Sequence, residues 1–180
     1  MKQRMAGVKV AHSVIRSPET FYANLEPGAS YRFPLIYAAA SAVLGGIVLG
    51  GMSLVFEVTV LTDTLRSLST RIFVFGLLGY LLFLGHTLGT HVVAVVFGAH
   101  GFHKTVEAMA YPTILILTCG WIPGINLIVG LYGLSLQVTG LSRLHKLNRF
   151  LAGTSVVLGG VFGLIFVFVL ASLIGALVVA

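Results

Sequence analysis

Long stretches without charge are the feature of this sequence that most limits its fold. Between Arg71 and Arg143 the chain carries only two charged side chains, Lys104 and Glu107, and residues 150–180 carry none. A helix needs about 20 consecutive apolar residues to cross the hydrocarbon core of a bilayer. Only 9% of the residues are charged, whereas about a quarter are charged in a soluble domain. The sequence therefore predicts an all-α, polytopic membrane bundle and excludes a water-soluble globule.

The apolar runs predict five transmembrane helices. They lie at about 34–56, 72–97, 105–120, 124–142 and 150–175. An N-terminal segment, residues 1–32, precedes a single membrane domain over residues 33–180. A predicted hairpin turn at Pro123 and Gly124 shortens the third and fourth spans. We favour two tilted short spans there, and a re-entrant hairpin shielded by other helices is the alternative.

The N-terminal segment is predicted to be an amphipathic helix at the membrane interface. Its apolar residues recur three or four positions apart among four Lys and Arg residues in the first 16 positions, which is typical of a surface-lying helix. Ser17, Pro18 and Glu19 predict a helix start, because they suit the cap, the first turn and the positive dipole end. Glu26-Pro27-Gly28 predicts its end. A partly ordered tail and a partner-binding segment are both compatible with this pattern.

Charge predicts the orientation of the spans. The segment through Arg32 has five basic and two acidic residues, and the 142–149 loop has three basic residues and no acidic one. The Glu57–Arg71 segment has a net charge of zero and is predicted to be an external loop. Because basic residues collect on the cytoplasmic side, we predict a cell-membrane protein with its N-terminus, the 98–107 turn and the 142–149 loop in the cytoplasm. Five spans leave the C-terminus outside.

Histidines are the candidate ligands of the second span. His86 falls inside the predicted hydrocarbon region and His91 near its edge, and an ionisable residue in a membrane is a candidate for function. They lie about 140° apart around a helix, which disfavours a joint metal chelate. His86 is interpreted either as a neutral side chain bonded across the bundle, with Thr87 or Thr90 nearby, or as a proton, ion or ligand site.

A second candidate metal site follows the second span. His100, His103 and Glu107 have spacings of three and four, which would put them on one helical face. Imidazole and carboxylate groups suit zinc and other divalent cations. Gly98 and Gly101 oppose this hypothesis, because they interrupt the helix that the spacing assumes.

Small residues at four-residue spacing occur in three of the predicted spans and allow helices to pack closely. These stripes are Ala42, Gly46 and Gly50; Gly85 and Gly89; and Ser155, Gly159 and Gly163. Such stripes hold a bundle together more often than they form a dimer.

The sequence contains few of the residue patterns that are typical of enzymes. No facing pair of acidic residues, glycine-rich phosphate loop or local serine–lysine or serine–histidine pair is recognisable. The lone Cys119 forms no intramolecular disulfide. We therefore predict a protein that is not an enzyme and has no cofactor.

Glycine, proline, aromatic and histidine residues from the turn onward form a recognisable set. They are His91, Phe97-Gly98, Gly101-Phe102, Thr105, Ala110-Tyr111, Ile122-Pro123-Gly124, Tyr132, Gly140-Leu141 and His145. With five spans and this order, the chain resembles the Yip (Ypt-interacting protein) family, and residues 17–21 resemble the helix before the first span of prokaryotic members. The resemblance implies a cytoplasmic N-terminus and association with membrane proteins. Because the long cytoplasmic region of eukaryotic members is missing, binding of a Rab-type GTPase is not expected.

The predicted function is that of a non-enzymatic integral membrane protein. It would act through helix packing as a scaffold, assembly factor or accessory subunit of a membrane complex. The alternative is a small transporter or channel subunit for a divalent cation or a proton, using His86 and His91. The expected partners are membrane lipids and other integral membrane proteins or a second copy of the chain, and not nucleic acid.

Overall fold

A computed structural model describes residues 7–25, 31–56, 61–120 and 122–179. Within these ranges the chain has no strand, and helix makes up 87% of the structure. The predicted all-α class is confirmed.

Eight helices follow one another in the described part of the chain. They are α1 (Gly7–Arg16), α2 (Pro18–Ala23), α3 (Arg32–Phe56), α4 (Leu61–Val96), α5 (Phe102–Ala110), α6 (Thr113–Cys119), α7 (Asn126–His145) and α8 (Arg149–Val179). Four segments within them are long and apolar enough to cross a membrane: Arg32–Met52, Leu68–Val96, Asn126–His145 and Arg149–Leu170. The prediction of a membrane-spanning protein rests on these helices.

The helix α4 is longer than the predicted second span. It begins at Leu61, whereas the sequence from Glu57 to Arg71 was predicted to be a loop. The stretch from Leu61 to Arg71 contains no proline or glycine, and so no residue that stops a helix strongly. Hydropathy reports where a segment meets water and says little about its backbone conformation.

The predicted third span is divided between two short helices. The helix α5 ends at Ala110 and α6 begins at Thr113, with Tyr111 and Pro112 between them. Proline has no backbone N–H, so Pro112 cannot donate the helical hydrogen bond to the carbonyl of Ala108 four residues earlier. The structure therefore differs from one continuous helix over residues 105–120.

The long helix α4 is central to the bundle. It packs along α8 on one side and α3 on another, α6 lies against α3, and α7 contacts α2, α5 and α8. We call the end of the bundle formed by α1, α2, α5 and the 146–148 connection the packed end. The turn at residues 122–125 precedes α7, whose 20 residues rise about 30 Å before they reach the packed end. We call the region of this turn the far end.

The N-terminal helices fold onto the protein. The helix α2 starts at Pro18 after Ser17, as predicted, although the Ser17 side chain makes no capping hydrogen bond. Val10 and Val14, one helical turn apart, are buried in the same core cluster as residues of α5 and α7. The helix α2 ends at Ala23, and the predicted end at Glu26-Pro27-Gly28 lies outside the described residues.

Candidate functional site

Tyr22 anchors α2 at the break between α5 and α6. Its hydroxyl donates to the carbonyl of Ala108 at 3.2 Å, which is the carbonyl that Pro112 leaves without its helical partner. A Cβ at Gly140 would lie 2.6 Å from the Tyr22 ring, so glycine at that position makes room for the ring. Burial raises the pKa of Tyr22 well above its usual value, with smaller contributions from Tyr111 and other acidic neighbours. The phenol therefore stays protonated and available as a donor.

Two further contacts hold the N-terminal helices. The Tyr132 hydroxyl donates to the carbonyl of Ile15 at 2.5 Å, which satisfies a carbonyl in the last turn of α1. The Glu19 carboxylate pairs with both Arg143 and Arg149. Glu19 was predicted only to favour the start of its own helix. Its ion pairs also join α2 to the ends of α7 and α8.

A chain of three polar side chains connects α4, α5 and α7. The Thr105 hydroxyl lies 2.9 Å from Nδ1 of His91 and 2.9 Å from Nε2 of His145. Thr105 is fully buried, and the ring of Phe102 meets the His91 ring edge to face at 4.9 Å. A threonine hydroxyl has one hydrogen to donate, so when it donates to one imidazole nitrogen the other nitrogen donates to it. The hydroxyl can donate to His91 and accept from His145, or donate to His145 and accept from His91. The direction of the chain therefore depends on which of the two histidine nitrogens carries a proton.

His86 makes its hydrogen bond across the α4–α8 contact. Its Nε2 atom lies 2.9 Å from the carbonyl oxygen of Val156. Because a carbonyl only accepts, Nε2 carries the proton. Thr87, one of the partners considered from the sequence, instead donates to the carbonyl of Phe83 in its own helix.

The second predicted metal site is not assembled. His100 is exposed and precedes Gly101, whose positive φ of 88° ends the helical spacing at the start of α5. His103 packs edge to face against the Tyr31 ring, while Glu107 is buried on the inner side of α5. Among the residues that the structure describes, no group of three or more His, Cys, Asp or Glu side chains is arranged to hold a metal ion.

Two of the small-residue stripes face each other. A Cβ at Gly89 would lie 2.9 Å from the carbonyl oxygen of Gly159, and one at Gly85 would lie 3.1 Å from Cα of Gly163. Ser155 is also fully buried and donates to Leu151 in its own helix. These stripes bring α4 and α8 to backbone contact within one molecule.

The first stripe packs α3 against α4. A Cβ at Gly46 would lie 2.6 Å from the carbonyl oxygen of Ile72, and Ala42 lies beside Gly76. Gly50 is buried as well. Gly45, which sequence reasoning missed, makes a similar contact with the backbone of Leu117 in α6. The available signal for Gly45 was its position directly before the stripe residue Gly46.

The predicted hairpin residues Pro123 and Gly124 lie in the turn between α6 and α7. Gly124 has a φ of 88°, a left-handed conformation that glycine adopts without strain. The turn therefore needs glycine at this position.

A cavity of about 380 Å³ lies between α4, α6, α7 and α8. Apolar side chains and glycines form most of its wall, together with the polar residues His86, Thr113, Asn126 and Gln137. The Thr113 hydroxyl donates to the carbonyl of Met109 at 2.8 Å. Gln137 is only 3% exposed, and its Oε1 atom has no hydrogen-bond partner within the described ranges. Gln137 thus carries a buried acceptor that the described residues leave unsatisfied.

Sequence reasoning missed Gln137 and Tyr22. An amide in the apolar run of α7 was a signal for the first, because buried polar groups need partners. The Tyr22 contact joins residues 86 positions apart, so no local pattern reports it. Thr105 and His145 entered only through the family resemblance.

Comparison of the chain with protein-family models, with curated proteins and with solved structures finds no match. The Yip resemblance therefore stays a prediction.

Proposed function

We propose that this chain is a non-enzymatic integral membrane protein that binds other membrane proteins, as a scaffold, assembly factor or accessory subunit. The observation that carries the proposal is the surface of α8. Its best membrane-spanning window is 22% buried, the lowest share among the four candidate spans. Membership of the Yip family, in its short prokaryotic form, agrees with this role and is part of the proposal.

The neighbours of α8 cover a narrow strip of it. That strip contains Gly159 and Gly163, which meet α4. Outside it, large apolar side chains are exposed on several sides of the helix, including Val161, Phe162, Leu164, Ile165, Phe168 and Val169. Lipid tails are as apolar as these side chains, so a partner helix gains from shape-matched packing. A long helix with a wide apolar surface supports that kind of contact.

Purification in mild detergent tests the proposal. We expect the protein to be recovered with a partner protein or as a homo-oligomer, measured by mass spectrometry of the intact complex. The double substitution Leu164→Ala and Phe168→Ala should weaken that association. The matched control is Leu127→Ala with Ile128→Ala. These α7 side chains are 69% exposed each, close to Leu164 at 65% and Phe168 at 74%, and they lie outside the α8 surface. A clean monomer from the native membrane would contradict the proposal.

We propose five membrane crossings, with α5 and α6 together forming the third. The 18 residues from Phe102 to Cys119 rise about 27 Å as helix, close to a hydrocarbon core of about 30 Å. The helix α5 starts beside the end of α7, so the chain returns to the side from which α5 begins. Exposed basic residues at the packed end, among them Lys146 and Arg149, favour a cytoplasmic location for that end. The C-terminus would then lie outside.

A second candidate is a proton-conducting subunit, favoured by the His91–Thr105–His145 chain. A reversible hydrogen-bonded chain between helices is able to pass a proton. Liposomes containing a pH-sensitive dye should acidify faster with the protein than without it, and His91→Gln should remove the difference. His12→Gln on exposed α1 is the control. Rates equal to those of empty liposomes would eliminate this candidate, and the lack of a three-ligand group in the described ranges removes support for a divalent cation.

A further inference from the structure

We propose that a groove between α1 and α2 binds a phosphate group, carried by a phospholipid headgroup or by a soluble phosphate ester. The wall of this groove is formed by residues between positions 12 and 25. None of them belongs to the α8 surface on which the proposed function rests, so either proposal can fail without the other.

Polar side chains form most of the groove. They recur three or four positions apart in α1 and in and before α2, on a different side of α1 from the buried residues Val10 and Val14. These polar residues are His12, Ser13, Arg16, Ser17, Thr20 and Asn24. No acidic side chain lines the groove within the described ranges. The groove therefore presents hydrogen-bond donors without a competing negative charge.

Three hydroxyl groups of the groove have no partner of their own. In a helix, a serine or threonine hydroxyl often donates to the carbonyl four residues earlier, as those of Ser41 and Thr87 do. The hydroxyls of Ser13, Ser17 and Thr20 make neither this hydrogen bond nor any other within the part of the chain that the structure describes. All three are therefore available to donate to a ligand in the groove.

Arg16 makes the groove positive. Arg143 and Arg149 pair with Glu19, whereas Arg16 forms no ion pair with any described residue. A guanidinium group binds phosphate through two parallel hydrogen bonds. Hydroxyl groups alone would also suit a sugar, but the charge of Arg16 favours an anion. A phosphate group has more oxygen atoms than a carboxylate, so it matches a guanidinium and several hydroxyls at once.

The position and size of the groove favour a phospholipid as the source of the phosphate. The carbonyl of Ile15, directly before Arg16, accepts a hydrogen bond from Tyr132 of α7, and α7 is a candidate membrane span. The volume of about 370 Å³ lies within the range of roughly 300–1,000 Å³ that is typical of small-molecule sites, and it exceeds that of a bare phosphate ion. The apolar wall residues Phe21 and Leu25 suit the carbon atoms of a glycerol backbone.

Native mass spectrometry of the intact protein in detergent tests this proposal. The probes are dioleoyl phosphatidylglycerol and dioleoylglycerol, which have the same acyl chains and differ in the phosphate-containing headgroup. We expect about tenfold tighter binding of the phospholipid, since hydrogen bonds to a charged group change affinity by about that factor.

Glycerophosphate, measured in parallel, identifies the source of the phosphate. A preference for the phospholipid that excess glycerophosphate leaves unchanged assigns the site to a lipid. Binding of glycerophosphate itself assigns the site to a soluble ester. Equal binding of the two lipids, together with no binding of glycerophosphate, would overturn the proposal.

Four variants locate the site. Arg16→Gln should weaken binding of the phosphate ligand about tenfold, and Arg16→Lys should restore part of it, because lysine keeps the charge but loses the paired hydrogen bonds. The control is Lys9→Gln, which removes the same charge from an exposed residue of α1 outside the groove and should bind as wild type. Thr20→Val removes one hydroxyl from an exposed position and should weaken binding about fivefold. Equal losses in Arg16→Gln and Lys9→Gln, or unchanged binding in Arg16→Gln and Thr20→Val, would contradict a site in this groove.

Discussion

The packed end and the α4–α8 contact hold helices together in different ways. At the packed end, polar side chains with specific partners join the elements: Tyr22 with Ala108, Glu19 with two arginines, and Thr105 with two histidines. Along α4 and α8, glycines have no side chain and so let the two backbones come into contact. The hydrogen bond of His86 to Val156 lies beside that contact.

The difference shows where the chain tolerates change. Close backbone contact fails when a single methyl group is added, because a packed backbone has nowhere to move. A polar contact loses about the value of its hydrogen bonds and leaves the helices in place. We therefore expect the glycine contact to be the more sensitive of the two regions.

The largest effect is expected for Gly159→Ala. Its Cβ would lie 2.5 Å from the backbone nitrogen of Thr90, so α8 must shift and the free energy of unfolding should fall by about 3 kcal/mol. Gly153→Ala in the same helix is the control, since its nearest neighbour is 4.0 Å away. That control should gain up to about 1 kcal/mol from helix propensity. Equal unfolding midpoints of the two variants in detergent would show that the close contact of α8 with α4 adds no sensitivity to a methyl group.

Thr105→Val comes next. Valine has nearly the same shape but leaves nitrogen atoms of His91 and His145 without a partner, which should cost about 2 kcal/mol. Thr154→Val is the control, because Thr154 is only partly buried and its hydroxyl donates to the carbonyl of Phe150 within α8. Thermal unfolding of both variants measures the difference. A loss no larger than that of the control would mean that the polar chain contributes nothing to stability.

Tyr22→Phe should cost about 1 kcal/mol, the value of one hydrogen bond. The structural explanation predicts a coupling with Pro112→Ala, which supplies the N–H group that the Ala108 carbonyl lacks. In the Pro112→Ala background the cost of Tyr22→Phe should fall close to zero. A double-mutant cycle of unfolding free energies measures this coupling, and equal costs in both backgrounds would disprove the link between Pro112 and Tyr22.

Glu19→Gln should have the smallest effect, about 0.5 kcal/mol. The carboxylate side chain is 42% exposed and its partners Arg143 and Arg149 are 51% and 70% exposed, so water and salt screen these pairs. The difference from wild type should disappear in about 1 M salt. Unfolding at low and high salt provides the test, and a difference that persists at high salt would indicate a contact other than the ion pairs.

The sequence predicted those features that depend on local pattern. Hydropathy located the long helices, Ser17 and Pro18 marked the start of α2, and glycine spacing identified the α4–α8 stripes. It did not predict which elements meet, because contacts such as Tyr22 with Ala108 join distant positions whose spacing carries no period. The proline at position 112 is visible in the sequence. The break in the helix was missed because the span was located by averaged hydropathy, which does not report the loss of a backbone hydrogen bond. The cavity around Gln137 depends on four helices at once and therefore has no signal in any one of them.

The five-crossing arrangement requires the packed end and the far end to lie on opposite sides of the membrane. Single cysteines at Ser17→Cys, Lys146→Cys and Ile125→Cys, in a Cys119→Ser background, can be labelled on intact cells with an impermeant maleimide. We predict labelling of the Ile125→Cys variant from outside, and of the other two only after the membrane is opened. Labelling of Ile125→Cys from the same side as Lys146→Cys would show that α5, α6 and α7 form a re-entrant hairpin, and would contradict the five-crossing arrangement.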